Sequence, residues 1–219
     1  MIDAGRVELI HEAAKDLRYL LNRGYRKPTA LKLVGDRYGL NRRERLILFR
    51  GILPKHEAEA IKSKRLGEWE VRGEKMWLDG FNVLHTVEAM LRNDLLIMGD
   101  DGVLRDVSGI HGKYRPTKTS EEALTTIIEA LKGLGVSKPV ILYEGQVSKS
   151  GEVAALTRRI LREMGLEGEA RTTKTVDSEL IKSGEIVATS DSIILLRCRR
   201  FFDIPGYLAS KKEARILKL

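Results

Sequence analysis

Residues 76–84 read MWLDGFNVL, and this stretch decides the fold of the larger part of the chain. Its first three residues are apolar and have the character of a short buried strand, while a helix is predicted over about 83–93. Asp79 stands directly after the strand and is followed by Gly-Phe-Asn. A charged residue in that place has no ordinary packing role, so Asp79 is the first candidate for a functional residue.

Downstream of this stretch, predicted strands alternate with predicted helices. The strands lie near residues 139–143, 169–172 and 186–189, and the helices near 120–133, 151–164 and 177–183. Asp101-Gly102 separates two apolar runs and predicts a β-hairpin. The alternation predicts an α/β fold whose mainly parallel sheet is covered by helices on both faces. In such a sheet the functional crevice lies beyond the carboxyl ends of the strands.

The residues before this stretch are predicted to form a small all-α domain. Apolar residues recur at helical spacing in four segments, about 4–22, 29–38, 42–50 and 55–65. Asn41 and Glu44 have the pattern of a capping box at the start of the third helix. The polar segment 66–75 separates the two predicted domains, which are a basic helical domain, 1–66, and an α/β domain, 75–219.

Most of the excess positive charge lies in the N-terminal third. Residues 1–75 hold 18 Lys and Arg against 11 Asp and Glu, whereas residues 76–219 hold 21 against 20. A basic patch beside a nearly neutral domain favours a polyanionic partner such as nucleic acid. Arg42, Arg43 and Arg45 enter the third helix of a helix-turn-helix-like outline and are the predicted phosphate contacts. The alternative is a solvated basic surface without a partner.

The composition excludes several classes of protein. No apolar run approaches the ~20 residues that a membrane helix needs, and the N-terminus lacks the apolar core of a signal peptide. We therefore expect a cytoplasmic protein with no membrane partner. The single cysteine and four scattered histidines rule out an internal disulfide and a zinc finger.

Four acidic residues fall at predicted strand ends or at the helix starts beside them: Asp79, Glu144, Asp177 and Asp191. Crowded carboxylates repel one another unless a cation neutralises them, and Mg²⁺ and Mn²⁺ favour all-oxygen ligand shells. A metal held in this way can activate water against a phosphodiester. Ordinary roles stay open for three of the acids: Asp177 could cap its helix, Asp191 could belong to a turn, and Glu144 could be a loop acid.

Two of these positions lie in recognisable motifs. Residues 78–84, LDGFNVL, resemble the D-G-[YF]-N opening of the NYN branch of PIN-like nucleases, and residues 189–192, TSDS, resemble the T-S-D element on a later strand. Asp177, fourteen residues before Asp191, matches the acid that opens the helix leading into that strand. The whole chain also resembles an uncharacterised archaeal family in which a basic helical domain precedes a PIN-like domain.

The resemblance implies a three-layer α/β/α sandwich with a parallel sheet of order 3-2-1-4-5, dependence on Mg²⁺ or Mn²⁺, and RNA as the usual substrate. Asp79, Asp177 and Asp191 match its catalytic, metal-binding acids. Asn82 and Ser190 match positions that orient these acids. A further acid is common in the helix after the first strand, and Glu88 is a loose match for it.

Two other segments are candidates for nucleic-acid contact. In residues 108–119, Lys113 and Arg115 flank Tyr114, so a base could stack on the ring while the cations meet phosphates. A solvated loop is the alternative there. The sequence Ser148-Lys149-Ser150 lies between a strand end and a helix N-terminus, where a phosphate is favoured. Capping by Ser150 is the alternative, and the missing P-loop pattern argues against NTP hydrolysis.

The residues thus favour a metal-dependent nuclease that hydrolyses phosphodiester bonds, with the basic helices holding the strand. The alternative is a catalytically inactive nucleic-acid-binding module of the same fold. A phosphatase of the haloacid-dehalogenase kind needs an acid two residues after its nucleophilic Asp, where this chain has Phe81. RNA versus DNA and the oligomeric state stay open.

Overall fold

The N-terminal region is helical, as predicted. A computed structural model describes residues 4–108 and 114–219 of the 219-residue chain. Its first helices are α1 (Ala4–Asn22), α2 (Lys27–Arg37), α3 (Arg42–Gly51) and α4 (Lys55–Lys62). The predicted capping box of α3 is confirmed, because the Asn41 side chain accepts from the Glu44 backbone N–H at 3.0 Å and the Glu44 carboxylate accepts from the Asn41 N–H at 2.8 Å.

A short 3-10 helix, Glu68–Val71, leads into the α/β region. The strands described there are β1 (Lys75–Asp79), β2 (Leu96–Met98), β3 (Leu104–Asp106), β4 (Lys138–Glu144), β5 (Glu169–Thr173), β6 (Ile186–Ala188), β7 (Arg200–Phe201) and β8 (Ile216–Lys218). The helices are α5 (Gly80–Leu91), α6 (Lys118–Gly133), α7 (Ser150–Glu163), α8 (Val176–Lys182), α9 (Ser192–Arg197) and α10 (Ile204–Lys211).

The main sheet has the order β5-β4-β1-β6-β7 across the described residues, and every neighbouring pair is parallel. Numbered along the chain within this sheet, the order is 3-2-1-4-5, as the resemblance implies. The predicted α/β fold, with a mainly parallel sheet preceded by a helical region, is confirmed.

The two faces of the main sheet bury different layers. Met76 and Leu78 of β1 join the core formed with α5, α6 and α7, whereas Trp77 between them packs on the opposite core. That opposite core includes side chains from α8 and α9 and also Ala58 and Ile61 of α4. One N-terminal helix therefore helps to form the second helical layer of the α/β/α sandwich.

A second, small sheet has the order β3-β2-β8. The predicted hairpin is present, since β2 and β3 pair antiparallel, and Gly102 adopts a positive φ of 73° in the loop between them. The C-terminal strand β8, which the sequence did not predict, pairs parallel with β2. Ile97 on one face of β2 joins the core of the N-terminal helices, and Leu96 on the other face joins the main core.

Three local predictions were wrong. Helix α5 begins at Gly80 rather than near residue 83, because Asp79 itself is its N-cap. Thr119 and Glu122 have the sequence pattern of a capping box for α6, but the side chain that caps this helix is Thr117, which accepts from the Ser120 N–H. The apolar run that precedes Cys198 predicts a cysteine buried within a strand; Cys198 is buried, but it is the C-cap of α9. None of the described helices has the length and apolar character needed to span a bilayer.

Candidate functional site

The strand β1 places Asp79 at the carboxyl edge of the main sheet. Asp79 lies opposite Leu142 in the parallel register with β4, so Glu144, two residues further along β4, lies on the same face of the sheet. The helices α8 and α9 cover that face. Asp177 lies in the first turn of α8 and Asp191 is the N-cap of α9. All four predicted acids therefore lie toward one face at one edge of the main sheet, which we call the acidic edge.

The residue after Asp79 must be small. A Cβ built on Gly80 would lie 2.5 Å from the ring of Tyr143 and 2.7 Å from the carbonyl oxygen of Leu142. The backbone of the turn from β1 to α5 thus packs directly on β4, which only glycine permits. This close approach fixes the direction in which Asp79 leaves the strand.

Asp79 is the most strongly perturbed acid of the group. Its Oδ2 accepts from the Thr189 hydroxyl at 3.0 Å, and its Oδ1 accepts from the Asn82 backbone N–H at 3.4 Å. Burial raises the pKa of Asp79 to about 7 against these two hydrogen bonds, and repulsion from Asp191 and Asp177 raises it further. The carboxyl group therefore holds its proton to a much higher pH than an ordinary aspartate, and the other two acids are near enough to act on it.

Asn82 and Ser190, which were predicted to orient the acids, contact each other directly. Asn82 Oδ1 accepts from the Ser190 backbone N–H at 2.7 Å and from its hydroxyl at 2.9 Å. Thr189 completes the connection, because its hydroxyl donates to Asp79 and accepts from the Asp191 N–H at 3.1 Å. The start of α5 and the end of β6 are thereby held together around Asp79. Thr189 belongs to the T-S-D motif, but its contact with Asp79 was not predicted.

Glu144 and Asp177 complete the acidic edge in different ways. The buried Oε1 of Glu144 has no hydrogen-bond partner among the described residues. Such an atom is costly unless a donor or a cation reaches it. Asp177 is exposed. The neighbouring acid Glu179 in the same helix forms an ion pair with Arg171 at 2.6 Å, so its role is structural.

The four carboxylates do not form a ready ligand set. Within residues 4–108 and 114–219, no three His, Cys, Asp or Glu side chains are placed so that they could hold one metal ion. Two features still fit a hard divalent cation: the unpaired Glu144 oxygen, and the burial and acidic neighbours that together raise the pKa of Asp79. All donors at this edge are oxygens, the type that Mg²⁺ and Mn²⁺ prefer.

A buried ion pair supports the site from the second sheet. Arg105 of β3 donates from Nε to the Ser190 carbonyl at 2.9 Å and pairs with Asp101 at 2.7 and 2.5 Å. Both side chains are almost fully buried. The sequence did not reveal this pair, because Asp101 stands in a turn motif and Arg105 lies 85 residues from its partner Ser190.

A cleft of about 480 Å³ lies between the N-terminal helices and the acidic edge. We call it the interdomain cleft, and its lining includes Tyr25, Lys27, Phe49, Asn82, Ser190 and Asp191. The helical region therefore borders the space beside the candidate site, which the sequence alone did not place.

The three arginines predicted to contact phosphates differ in their surroundings. Arg42 and Arg43 are exposed and line a groove of about 740 Å³ beside α3. Arg45 donates to the Leu40 carbonyl and to Asp36, both at 2.9 Å. Its guanidinium thus holds the turn between α2 and α3, whereas the other two are available at the surface.

The predicted stacking platform at Tyr114 is wrong. Tyr114 is buried, its hydroxyl bonds to Glu88 and Ser120, and its ring lies 5.2 Å from that of Phe81. Glu88 is saturated by these partners and by a nearby histidine, so it does not extend the acidic edge. Arg115 is exposed, and Lys113 lies outside the described residues.

The segment predicted to bind phosphate is largely occupied by internal contacts. The Ser148 hydroxyl exchanges hydrogen bonds with the backbone of Tyr114 at 3.0 and 3.1 Å. Lys149 has a positive φ of 64° and pairs with Glu152 at 2.5 Å. Ser150 is buried in the first turn of α7, and the capping role considered for it is wrong because α7 has no side-chain cap.

The fold and the site together define an α/β domain with an acidic crevice at the carboxyl ends of its parallel strands, bordered by a basic helical region. The chain belongs to the family described as domain of unknown function (DUF5616), whose family model matches residues 69–207. A second model, protein of unknown function (DUF434), matches residues 9–64. The chain is similar to the uncharacterized protein MJ0935 of Methanocaldococcus jannaschii, with 37% identity over 186 residues, 85% of this chain and 88% of the relative.

Proposed function

We propose that this protein is a Mg²⁺- or Mn²⁺-dependent nuclease that hydrolyses phosphodiester bonds, with RNA as its substrate. The observation that carries the proposal is the environment of Asp79, whose carboxyl group is held at the sheet edge with a pKa raised to about 7 by burial and by two neighbouring acids. The unpaired oxygen of Glu144 on the same face supports it. Both features are unfavourable in isolation and are relieved by a cation.

The residues of the acidic edge would have two roles, metal binding and the orientation of the metal-binding acids. Asp79, Glu144, Asp177 and Asp191 would hold the metal, which when bound activates water and stabilises the charge that develops at phosphorus. Asp79 must first lose its proton. Thr189 and the Asn82 backbone orient its two oxygens through the hydrogen bonds described above.

The basic helical region would hold the polyanion. Arg42 and Arg43 are exposed on α3 and make no ion pair with any described residue, so their charges are available to phosphates. RNA is proposed over DNA, and a cytoplasmic location is proposed with it, from the resemblance and the composition. Neither choice depends on the geometry of the site.

A non-catalytic nucleic-acid-binding module is the second candidate function. The observation that favours it is that no three described acidic, histidine or cysteine side chains already surround one metal position. Such a module would keep the basic helices and the cleft but would not bind a divalent ion at the edge.

Single substitutions at the edge test the proposal. The wild-type chain should cleave single-stranded RNA with Mn²⁺, and Asp79→Asn or Asp191→Asn should lower the rate at least about 100-fold while the circular dichroism spectrum stays native, since each removes a ligand charge. Asp177→Asn should also lower the cleavage rate. Its matched control is Glu179→Gln on the same helix, which should leave the cleavage rate unchanged. Cleavage that survives in the Asp79→Asn/Asp191→Asn double variant would overturn the nuclease. Wild-type binding without cleavage would favour the module.

A further inference from the structure

We infer that the interdomain cleft binds one nucleotide of a single strand beside the acidic edge, with its base against the rings of Tyr25 and Phe49 and its phosphate beside Arg26 and Lys27. This inference deepens the proposed function and rests on it. It assigns substrate positioning to the N-terminal helical region, at a cleft that adjoins the groove carrying Arg42 and Arg43, since Phe49 lines both.

The size and lining of the cleft suit one nucleotide. Its volume of about 480 Å³ lies within the range of small-ligand sites and is too small for a duplex. Residues of the N-terminal helices line one side, and Asn82, Ser190 and Asp191 line the other. A nucleotide in this space would therefore adjoin the acid that caps α9.

Two aromatic side chains are exposed where the cleft opens. Tyr25 is 55% exposed and Phe49 is 48% exposed, although both border an internal space between two parts of the molecule. Rings of this kind form stacking platforms for unpaired bases, because every base presents a π face. A base inside a duplex is already stacked and cannot use them. The aromatic lining therefore favours a single strand.

The cations of the cleft are of two kinds. Arg50 donates to Asp106 at 2.9 Å, and Arg105 pairs with Asp101, so their charges are already balanced. Arg26 and Lys27 form no ion pair with any residue in the described part of the chain.

Burial disfavours the charge of Lys27. Its ammonium lies over the Phe49 ring, 5.1 Å from the centroid, which is a favourable cation–π contact. Burial, with Arg105 nearby, nevertheless lowers the pKa of Lys27 to about 8. An anionic ligand next to this ammonium would offset that penalty. A phosphate of the bound strand is the anion that the proposed function supplies.

Binding is measured in the full-length Asp79→Asn chain, which cannot cleave under the proposed mechanism. The probe is a fluorescein-labelled ten-nucleotide single-stranded RNA followed by fluorescence anisotropy, with a DNA strand of the same sequence and the corresponding RNA duplex as competitors. Tyr25→Ala and Phe49→Ala should each weaken binding about tenfold. The matched control Tyr19→Ala removes an equally exposed tyrosine outside the cleft and should bind as the parent does.

The cations are tested through salt dependence. Arg26→Ala and Lys27→Ala should each lower the slope of log K against log salt by about one, because each would remove one phosphate contact. Arg23→Ala makes the same change in charge at a residue that does not line the cleft and should leave the slope unchanged. Circular dichroism shows whether each variant is still folded. Phe49→Leu keeps an apolar side chain but no ring, so weaker binding by this variant indicates that stacking has been lost.

The outcomes separate this inference from the nuclease itself. If cleft variants bind RNA like the parent while wild-type protein cleaves RNA, the cleft is not the binding site, but the proposed nuclease activity is supported. Cleft variants that lose binding, while wild-type protein never cleaves, support the cleft as a binding site and overturn the nuclease. If Tyr19→Ala loses as much RNA binding as the cleft variants, the inferred binding site is wrong. The same follows if the duplex competes as strongly as single strands. Competition by single-stranded RNA and DNA alike supports it.

Discussion

Asp79 is the last residue of a buried strand and the N-cap of the helix that follows. Its carboxylate is therefore fixed by the backbone N–H of Asn82 on one side and by the Thr189 hydroxyl on the other. A carboxylate with two donors would ordinarily titrate low, yet burial and two neighbouring acids raise its pKa to about 7. The fold thus stabilises the negative charge of Asp79 poorly.

This perturbation gives a pH-dependent difference in stability. The pKa of Asp79 rises from 3.8 in the unfolded chain to about 7 in the folded one, so the stability that it contributes is present below pH 3.8 and is lost as the pH rises through 7. Asp79→Asn removes this loss. In EDTA, the melting temperature of Asp79→Asn minus that of the wild type should increase from pH 4 to pH 7 and level off above about pH 8.

Thermal melts at several pH values measure this difference. Asp94→Asn is the control, because Asp94 is a surface acid paired with Arg92 at 2.9 Å and should give a nearly constant difference. A constant difference for Asp79→Asn as well would mean that its carboxyl group titrates normally in the folded protein.

The buried pair Asp101–Arg105 gives a second prediction for single residues. Arg105→Met should lower the free energy of unfolding by about 3–5 kcal/mol, because it leaves a buried carboxylate unpaired and takes the Nε donor from the Ser190 carbonyl. Adding Asp101→Leu removes the stranded charge and should restore part of the loss. Urea unfolding measures both variants. A double variant no more stable than Arg105→Met would show that the charge is not what destabilises the single variant.

Site residues could be predicted from the sequence where the pattern that marks them lies within a few neighbouring residues. Asp79 and Asn82 lie within one strand–helix junction, and Ser190 lies within one short motif. Local sequence patterns were therefore sufficient to predict these three site residues. The bond from Thr189 to Asp79 joins residues 110 positions apart. No local pattern encodes such a contact, because it arises only when β6 pairs beside β1.

At the scale of elements, helix α3 separates two kinds of arginine that look alike in the sequence. Arg42 and Arg43 project from its exposed start, whereas Arg45 is bonded to Leu40 and Asp36. Arg42→Ala and Arg43→Ala should each weaken RNA binding and lower its salt slope by about one. Arg45→Ala should instead lower the free energy of unfolding by about 1–3 kcal/mol, because its hydrogen bonds are lost.

Anisotropy titrations over a range of salt concentrations, together with urea unfolding, distinguish the two effects. Lys182→Ala, at the end of α8, makes the same change in charge away from α3 and should alter neither quantity. If Arg45→Ala flattens the salt slope as strongly as Arg42→Ala, the assignment of Arg45 to the fold is wrong.

The elements that the sequence predicted are those with strong local signals. The N-terminal helices have caps, glycine stops and apolar residues at helical spacing, and the central strands are continuous apolar runs. Strands β7 and β8 contain two and three residues. Segments that short carry no periodicity, and only pairing with β6 and β2 makes them strands.

At the scale of the whole molecule, the helical region and the α/β domain share their cores. Ile10 and Leu17 of α1 cluster with Ile97 and Leu217 from the second sheet and with Leu95, which directly precedes β2. On the main sheet, α4 packs against α9. Two segments matched by separate family models therefore bury their apolar surfaces against each other, and the interdomain cleft exists only while both are folded.

Shared cores predict that the full chain unfolds in one cooperative transition. Leu96 and Ile97 are neighbours on opposite faces of β2, one in the main core and one in the core of the N-terminal helices. Leu96→Ala and Ile97→Ala should each cost about 2–5 kcal/mol, and each should shift the whole transition. Far-ultraviolet circular dichroism follows it, and so does the fluorescence of Trp77 in the main sheet when the exposed Trp69 is replaced by Phe. If Ile97→Ala shifts only part of the dichroism change and leaves the Trp77 transition in place, the helical region unfolds independently. The cleft would then open before the sheet is lost.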